Sequence, residues 1–539
     1  MNFRQKVIIF GAFGLFFSIQ AIGKSARFRV MWKHDPATSM VIGWDQVSGN
    51  NPVLFYGTDN HGTHCSQYQL SRTPDFVVAA KGMNNHYVEL QGLQPNTIYY
   101  FVVKDSESTS KSYSFRTAPD NPFIRLSIIS GGDSRGNRGA RLNANRIVSK
   151  LRPTCIVFSG DMTTDGSDEE WMQWMDDWQQ TIAEDGRMFP IIVARGNHEE
   201  TNKVLVDLFD VKSKDVYYNL VLGGQLINII TLNSLIPPDG KQKVWLERTL
   251  KSSRTFWKMA QYHHSIRPHT QNKKENLKLH INWATLFYKY HVNVASESDA
   301  HVVKVTYPIG PSKAEGSEDG FIRDDARGTV YIGEGGWGAP LRENNDDKVW
   351  TRSSGSFNQI KLLFIDPYKI EIRTIQTEFA NLTKSVDPKH IFRLPKGLRV
   401  WSPDAGEVVT ILNPRPPMDG EVVEVFADEK EIVITTPKPK ETAPSGKTTT
   451  EEDKWKRFEK ISRGKEGKLA IHYKLNYYGN VTVVLINRKL KEITRAKLTN
   501  QKPGVYNKTL DLSKVAPGRY LLIIRNNKKI VQRYRVVVD

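Results

Sequence analysis

Five short segments put carboxylate, amide and imidazole groups where an apolar run gives way to a loop. They are Gly131-Gly132-Asp133-Ser134-Arg135-Gly136, Ser159-Gly160-Asp161-Met162-Thr163-Thr164, Arg195-Gly196-Asn197-His198-Glu199, Gln261-Tyr262-His263-His264-Ser265 and Glu297-Ser298-Asp299-Ala300-His301. Carboxylates and imidazoles offered from separate loops can surround two divalent or trivalent cations, with one carboxylate bridging both; Asp161 is the candidate bridge. Two such ions, roughly 3.5–4 Å apart, hold a hydroxide nucleophile and clamp the oxygens of a displacement at phosphorus. An isolated Gly-Asp is usually a turn with a solvated carboxylate. Five such segments in order, with Gly-Asn-His-Glu among them, point instead to a metal site.

Other side chains are weaker candidates. Arg135 and His269 suit phosphate contacts, since a guanidinium matches phosphate oxygens, although Arg135 could equally pair with a neighbouring acid. Of His263 and His264 one is expected to be a ligand, and His264 either contacts substrate or packs. His280 and His291 are read as structural. Gly333-Glu334-Gly335-Gly336-Trp337-Gly338 lacks the spacing, lysine and Ser/Thr of a nucleotide-binding P-loop.

The elements that must position these groups follow from periodicity. From Arg27 to Thr117 short alternating runs, among them Met40–Trp44, Tyr87–Leu90, Ile98–Val103 and Tyr113–Arg116, predict a β-sandwich. After Pro122, buried apolar strands (Arg125–Ser130, Cys155–Phe158, Met188–Val193, Leu226–Leu232, Val292–Ala295) alternate with helical stretches (Ala140–Leu151, Glu169–Ile182). That is an α/β layout, with catalytic groups at the C-terminal strand ends. Pro, Thr and Lys from 435 to 450 cannot build a core and read as linker, and a small all-β unit fills Lys468–Asp539. The expected organisation is 1–23 leader, 24–119 β-sandwich, 120–378 catalytic α/β domain, 379–434 β-rich extension, 435–455 linker and 456–539 small β-sandwich.

With 539 residues, 39% of them hydrophobic, the chain is an ordinary globular protein of several domains. Its net charge of +18 does not indicate nucleic-acid binding, because residues 437–539 carry 25 Lys plus Arg against 9 Asp plus Glu and so hold +16 of it. Arg4 and Lys6 before an apolar run from Val7 to Ile19, followed by Ala21 and Gly23, read as a cleaved secretory signal peptide. The run is shorter than the roughly 20 residues that cross a bilayer, so no transmembrane anchor is expected, an uncleaved N-terminal helix being the alternative. No disulfide is expected between Cys65 and Cys155.

The order of the five segments resembles the calcineurin-like metallophosphoesterase superfamily, whose pattern runs G-D, G-D, G-N-H-[DE], a lone His and G-H-x-H. Leu93-Gln94-Pro95-Asn96-Thr97-Ile98-Tyr99-Tyr100, closing on Phe115-Arg116-Thr117-Ala118-Pro119, resembles fibronectin type III modules and the N-terminal domain of purple acid phosphatases. The resemblance implies a two-sheet α/β sandwich flanked by helices. It implies Asp133, Asp161 and His301 as ligands of one metal, Asp161, Asn197, His263 and Asp299 as ligands of a second, and His198 as the group at the phosphate and leaving oxygen. The two ions would be iron, zinc or manganese, and the substrate a small phosphate monoester. A diesterase, or a surface binding protein that kept the fold without turnover, are the alternatives. Two departures stand out. Thr164 replaces the tyrosine of purple acid phosphatases, so their tyrosinate colour should be absent, and Ser298-Asp299 replaces Gly-His, offering a harder oxygen donor. In the tail, Val481–Ile486 and Leu510–Tyr520 resemble the sorting domain of type IX secretion cargo, which would direct outer-membrane export and make that machinery a partner.

Overall fold

The computed structural model describes residues 25–414 and, beyond them, Pro416 and short stretches, mostly strands, between 423 and 538. The leader read at 1–23 and the linker at 435–455 lie outside the described residues. Two large sheets build the catalytic region. In the first, Leu126–Gly131, Cys155–Phe158 and Ile191–Val193 are parallel neighbours, flanked by the antiparallel strands Gln359–Ile365, Lys369–Gln376 and Val408–Leu412. In the second, Ile227–Thr231, Trp257–His264, Val294–Ser298 and Val330–Gly333 run parallel. Cys155–Phe158 and Ile191–Val193 read as unbroken apolar runs because both faces are covered. Ile128, Ile156 and Ile192 of the first sheet share one core with Ile227, Val294 and Ile332 of the second. The hydroxyls of Ser130 and Ser296 meet at 2.7 Å between them.

The helix Arg138–Leu151 starts two residues before its expected position, and Asp168–Trp178 gives way to a 3-10 turn, Gln179–Thr181. Ser167 caps the latter, its hydroxyl accepting the Glu170 N–H. Three acids in that helix's first turn suit the positive end of its dipole. Its Trp174 and Trp178 rings pack edge-on against Phe158, 5.9 and 6.1 Å between centroids.

The N-terminal region forms a four-stranded sheet (Leu70–Arg72, Val53–Gly57, Ile98–Lys104, Tyr113–Arg116) facing the strands Ser25–Met31, Ser39–Gln46, Met83–Gln91 and Phe76–Ala80. Phe28 and Tyr113 pack between them, ring centroids 4.6 Å apart. The second of these layers continues into the first catalytic sheet, making it ten-stranded: Met31 pairs in parallel with Ile191. Hydrogen bonding therefore runs across the expected 119/120 boundary, and it spares the strand Ile191–Val193 an open edge.

The C-terminal unit, taken by itself, is all-β, with a five-stranded sheet that includes Gly479–Asn487, Glu492–Gln501, Gly518–Asn526 and Lys529–Val538, and a pair formed by Lys468–Leu475 and Gly504–Asp511. Both cysteines are free thiols. Among the described residues no helix is long and apolar enough to cross a membrane.

Candidate metal centre

All five segments fall at the C-terminal ends of parallel strands, three from the first sheet and two from the second. The turn each chain makes there is sharp. Asp133 (φ 58°), Asp161 (57°), Asp299 (72°) and His301 (56°) all adopt the left-handed region, which non-glycine residues seldom occupy and which costs about 1–3 kcal/mol each where it is strained. Three of them, Asp133, Asp161 and His301, bring ligand atoms to one point. A Cβ on Gly160 would stand 2.7 Å from the Gly196 Cα, so the second and third loops approach each other only because glycine is there.

Asp133 Oδ1, Asp161 Oδ2 and His301 Nε2 converge so that ligand atoms of the three residues lie within 4.8 Å of one another. Each of these atoms is buried without a hydrogen-bond partner among the described residues, and the nearest approach among them is His301 Nε2 to Asp133 Oδ1 at 3.1 Å. Buried polar atoms are otherwise almost always paired. Three orphans at one point, two of them on carboxylates, make a donor set that fits a cation. His301 Nδ1 donates to the Pro340 carbonyl at 2.8 Å, which turns the Nε2 lone pair inward.

Asp161 faces a second group with its other oxygen. His263 Nε2 stands 3.1 Å from Asn197 Oδ1, 3.3 Å from Asp161 Oδ1 and 3.7 Å from Asp299 Oδ1, while its Nδ1 donates to the Ser159 carbonyl at 2.9 Å. Burial opposes charge on this ring, but Asp161, Asp133 and Asp299 prevail and push it up to about 10. Asp161 is in turn held well below its ordinary value, against burial, by His263 and His198. Asp299 is also lowered against burial, by His263 and by the Lys273 ammonium paired with its Oδ1.

His198 lies at the mouth with 23% of its side chain exposed. Its Nδ1 bonds the Thr164 carbonyl, and Nε2 is 3.7 Å from Asp161 Oδ2. Arg135 is half-buried on the first loop, and its Nε has no partner among the described residues. His264 stacks obliquely on His263, 5.3 Å between centroids, and burial with the neighbouring His263 charge holds it below its ordinary value.

His269, which the sequence offers as a phosphate contact, is fully buried, with Nε2 2.7 Å from Thr351 Oγ1 and Nδ1 3.7 Å from Glu334. It belongs to a buried charged network in which Lys304 Nζ donates to Glu297 (2.6 Å), Glu334 (2.7 Å) and the Arg267 carbonyl (2.7 Å). That network ties together the loops after the second sheet's strands. A phosphate contact would require His269 to leave it.

Sequence reasoning also passed over two supports. The buried Glu199 carboxylate accepts the backbone N–H groups of Asp161 (3.0 Å), Met162 (2.6 Å) and Gly196 (2.5 Å), locking the second loop to the third. Its position inside Gly-Asn-His-Glu was a usable signal. Lys273, on an irregular polar stretch, gave none.

Residues 26–117 match the family described as "Purple acid Phosphatase, N-terminal domain", and residues 132–295 match "Calcineurin-like phosphoesterase". The chain thus carries a calcineurin-like phosphoesterase domain, and with its metal-capable triad it is a metal-dependent phosphatase. More particularly, it is a purple acid phosphatase-like phosphoesterase of that superfamily. It is 25% identical over 323 residues, 55% of this chain and 71% of the relative, to probable purple acid phosphatase 20 of Arabidopsis thaliana. It is 24% identical over 305 residues to purple acid phosphatase 15 of the same plant, covering 47% of this chain and 56% of that relative. In fold it is similar to a purple acid phosphatase from yellow lupin (Lupinus luteus) seeds, with TM-score 0.56, 14% identity, and coverage of 72% of this chain and 74% of that one.

Proposed function

We propose that the chain is a secreted phosphomonoesterase, with one cation held by Asp133, Asp161 and His301 and a second by Asp161, Asn197, His263 and Asp299. The observation that supports this most is the convergence of three buried, unpartnered ligand atoms on Asp133, Asp161 and His301. Bound there, iron, zinc or manganese would supply Lewis acidity and an activated water for displacement at phosphorus.

The chain's own residues do the rest. The Ser159 and Pro340 carbonyls fix the His263 and His301 rings with Nε2 inward. Asp161 offers one oxygen to each half of the centre. His198, held through Nδ1 by the Thr164 carbonyl, presents Nε2 at the mouth, where it can hold a proton for the leaving ester oxygen. Arg135 takes a phosphate oxygen through a guanidinium whose Nε has no competing partner among the described residues. His264 is the remaining substrate contact.

The same reading covers organisation and export: residues 1–23 as leader, 24–119 as a fibronectin-like module, 120–378 as the catalytic domain, 379–434 as extension, 435–455 as linker and 456–539 as a type IX sorting domain. Deleting 468–539 should then trap the protein in the producing cell, and unchanged export would refute the sorting role.

The test of activity is nitrophenolate release from a phosphomonoester and a phosphodiester in parallel, by full chain reconstituted with manganese, zinc or iron. Faster monoester turnover supports the proposal and faster diester turnover replaces it with a diesterase. Turnover of neither substrate favours a binding protein.

A further inference from the structure

The two halves of the centre are chemically unequal. On one side Asp133 Oδ1 and Asp161 Oδ2 face only the site's own rings, His301 Nε2 at 3.1 Å and His198 Nε2 at 3.7 Å, and among the described residues neither oxygen accepts a backbone N–H or an ammonium. On the other side each oxygen is already engaged. Asn197 Oδ1 meets His263 Nε2 at 3.1 Å, Asp161 Oδ1 accepts the His198 N–H at 3.0 Å, and Asp299 Oδ1 is bonded to the Lys273 ammonium.

Lys273 is held at that oxygen by its loop. The His269 N–H donates to Glu334 Oε2 and the Gln271 N–H to Asn345 Oδ1, both at 3.0 Å. The Lys273 N–H closes a turn on the Thr270 carbonyl at 3.2 Å, and the Asn276 N–H returns to the Ile266 carbonyl at 3.0 Å. Asp299 is equally fixed: its N–H donates to Asp133 Oδ2 at 2.9 Å, and its carbonyl accepts Arg342 Nη1 at 2.6 Å. Neither partner of the pair is a free surface side chain that happens to touch the other.

We propose that Lys273 is a resident competitor for the second cation, making the Asn197, His263 and Asp299 position weak and exchangeable while Asp133, Asp161 and His301 form the tight one. This rests on the reading of those residues as ligands. A cation arriving at Asp299 must share or displace an ammonium on the ligand oxygen, and like charges a few ångströms apart repel even in a polar surrounding. Occupancy of the second position, and with it turnover, then follows the free metal concentration, whereas the first position stays filled.

The test is a manganese titration of the metal-free full chain by calorimetry, with metal content after desalting measured by mass spectrometry. Wild type should bind in two steps of different affinity and retain one ion after desalting. Lys273→Met should tighten the weaker step by about tenfold or more and leave the tighter step in place. In an Asp299→Asn background Lys273→Met should change nothing, because the ammonium has lost its partner. Lys273→Gln carries the same expectation should the methionine variant fold poorly. Equal affinities in wild type, or a weaker step that Lys273→Met leaves unchanged or loosens, would overturn the competitor role while leaving the phosphatase reading standing. A wild-type chain that binds no manganese, zinc or iron would overturn both.

Discussion

The Glu199 carboxylate accepts the Asp161 backbone N–H at 3.0 Å, so the residue that joins the two halves of the centre is held from behind by a buried acid. Burial and the nearby Asp161 charge push Glu199 up to about 7, partly offset by the Met162 N–H and by His263. Glutamine there keeps the volume but turns an NH2 donor toward N–H donors. Glu199→Gln should lower cation affinity and turnover by roughly 10–100-fold, the range for groups that orient ligands, with a near-native circular dichroism spectrum. Unchanged metal content would remove Glu199 from the account.

The buried network around Lys304 should govern stability more than chemistry. Removing one partner of a buried ion pair strands the other's charge, so Lys304→Met, which leaves Glu297 and Glu334 uncompensated, should cost about 3–5 kcal/mol. The midpoint of urea unfolding reads this directly.

Acid should dissolve the same network in a defined window. Burial would raise Glu334, but Lys304 and His269 bring it down from 4.5 to about 2. A carboxylate depressed in the folded state stabilises fully above its unfolded value. That contribution should therefore fade as pH falls from about 4.5 toward 2, and Glu334→Gln should flatten the pH dependence of unfolding there.

His269→Ala should lower the melting temperature and leave KM for a phosphomonoester near wild type, because the ring contacts Thr351 and faces Glu334 instead of the mouth. A large rise in KM with unchanged stability would return His269 to the substrate.

Iron-loaded protein should lack a visible tyrosinate band. Residue 164 is threonine, and a Cβ on Gly136 would stand 2.8 Å from its Oγ1, which places that hydroxyl beside the first loop. The nearby Tyr262 is committed to Glu297 at 2.8 Å. An absorption band that survives in Tyr262→Phe would contradict this.

What the sequence disclosed depended on how local each signal was. Cys155–Phe158 and the motif after it were legible because an unbroken apolar run ending in Gly-Asp is a local pattern, and the strand occurs where expected. Trp257–His264 was not anticipated as a strand, since Lys258, Gln261 and the two histidines interrupt its apolar pattern. Gln261 is accommodated by donating to Thr231 Oγ1 at 2.8 Å and to the Ile192 carbonyl. The continuity of the N-terminal layer with the catalytic sheet was invisible because it rests on one pairing between residues 160 positions apart, Met31 and Ile191. The contacts of His269 were invisible for a related reason: Glu334 and Thr351 are distant in the chain, and sequence offers only its proximity to His263.

Whether Asp133, Asp161 and His301 hold a cation can be read from anomalous X-ray scattering by crystals of the full chain grown with manganese. A strong peak is expected between Asp133 Oδ1, Asp161 Oδ2 and His301 Nε2, with a second, concentration-dependent peak beside His263 Nε2. Crystals saturated with manganese that show no density among those three atoms would contradict this.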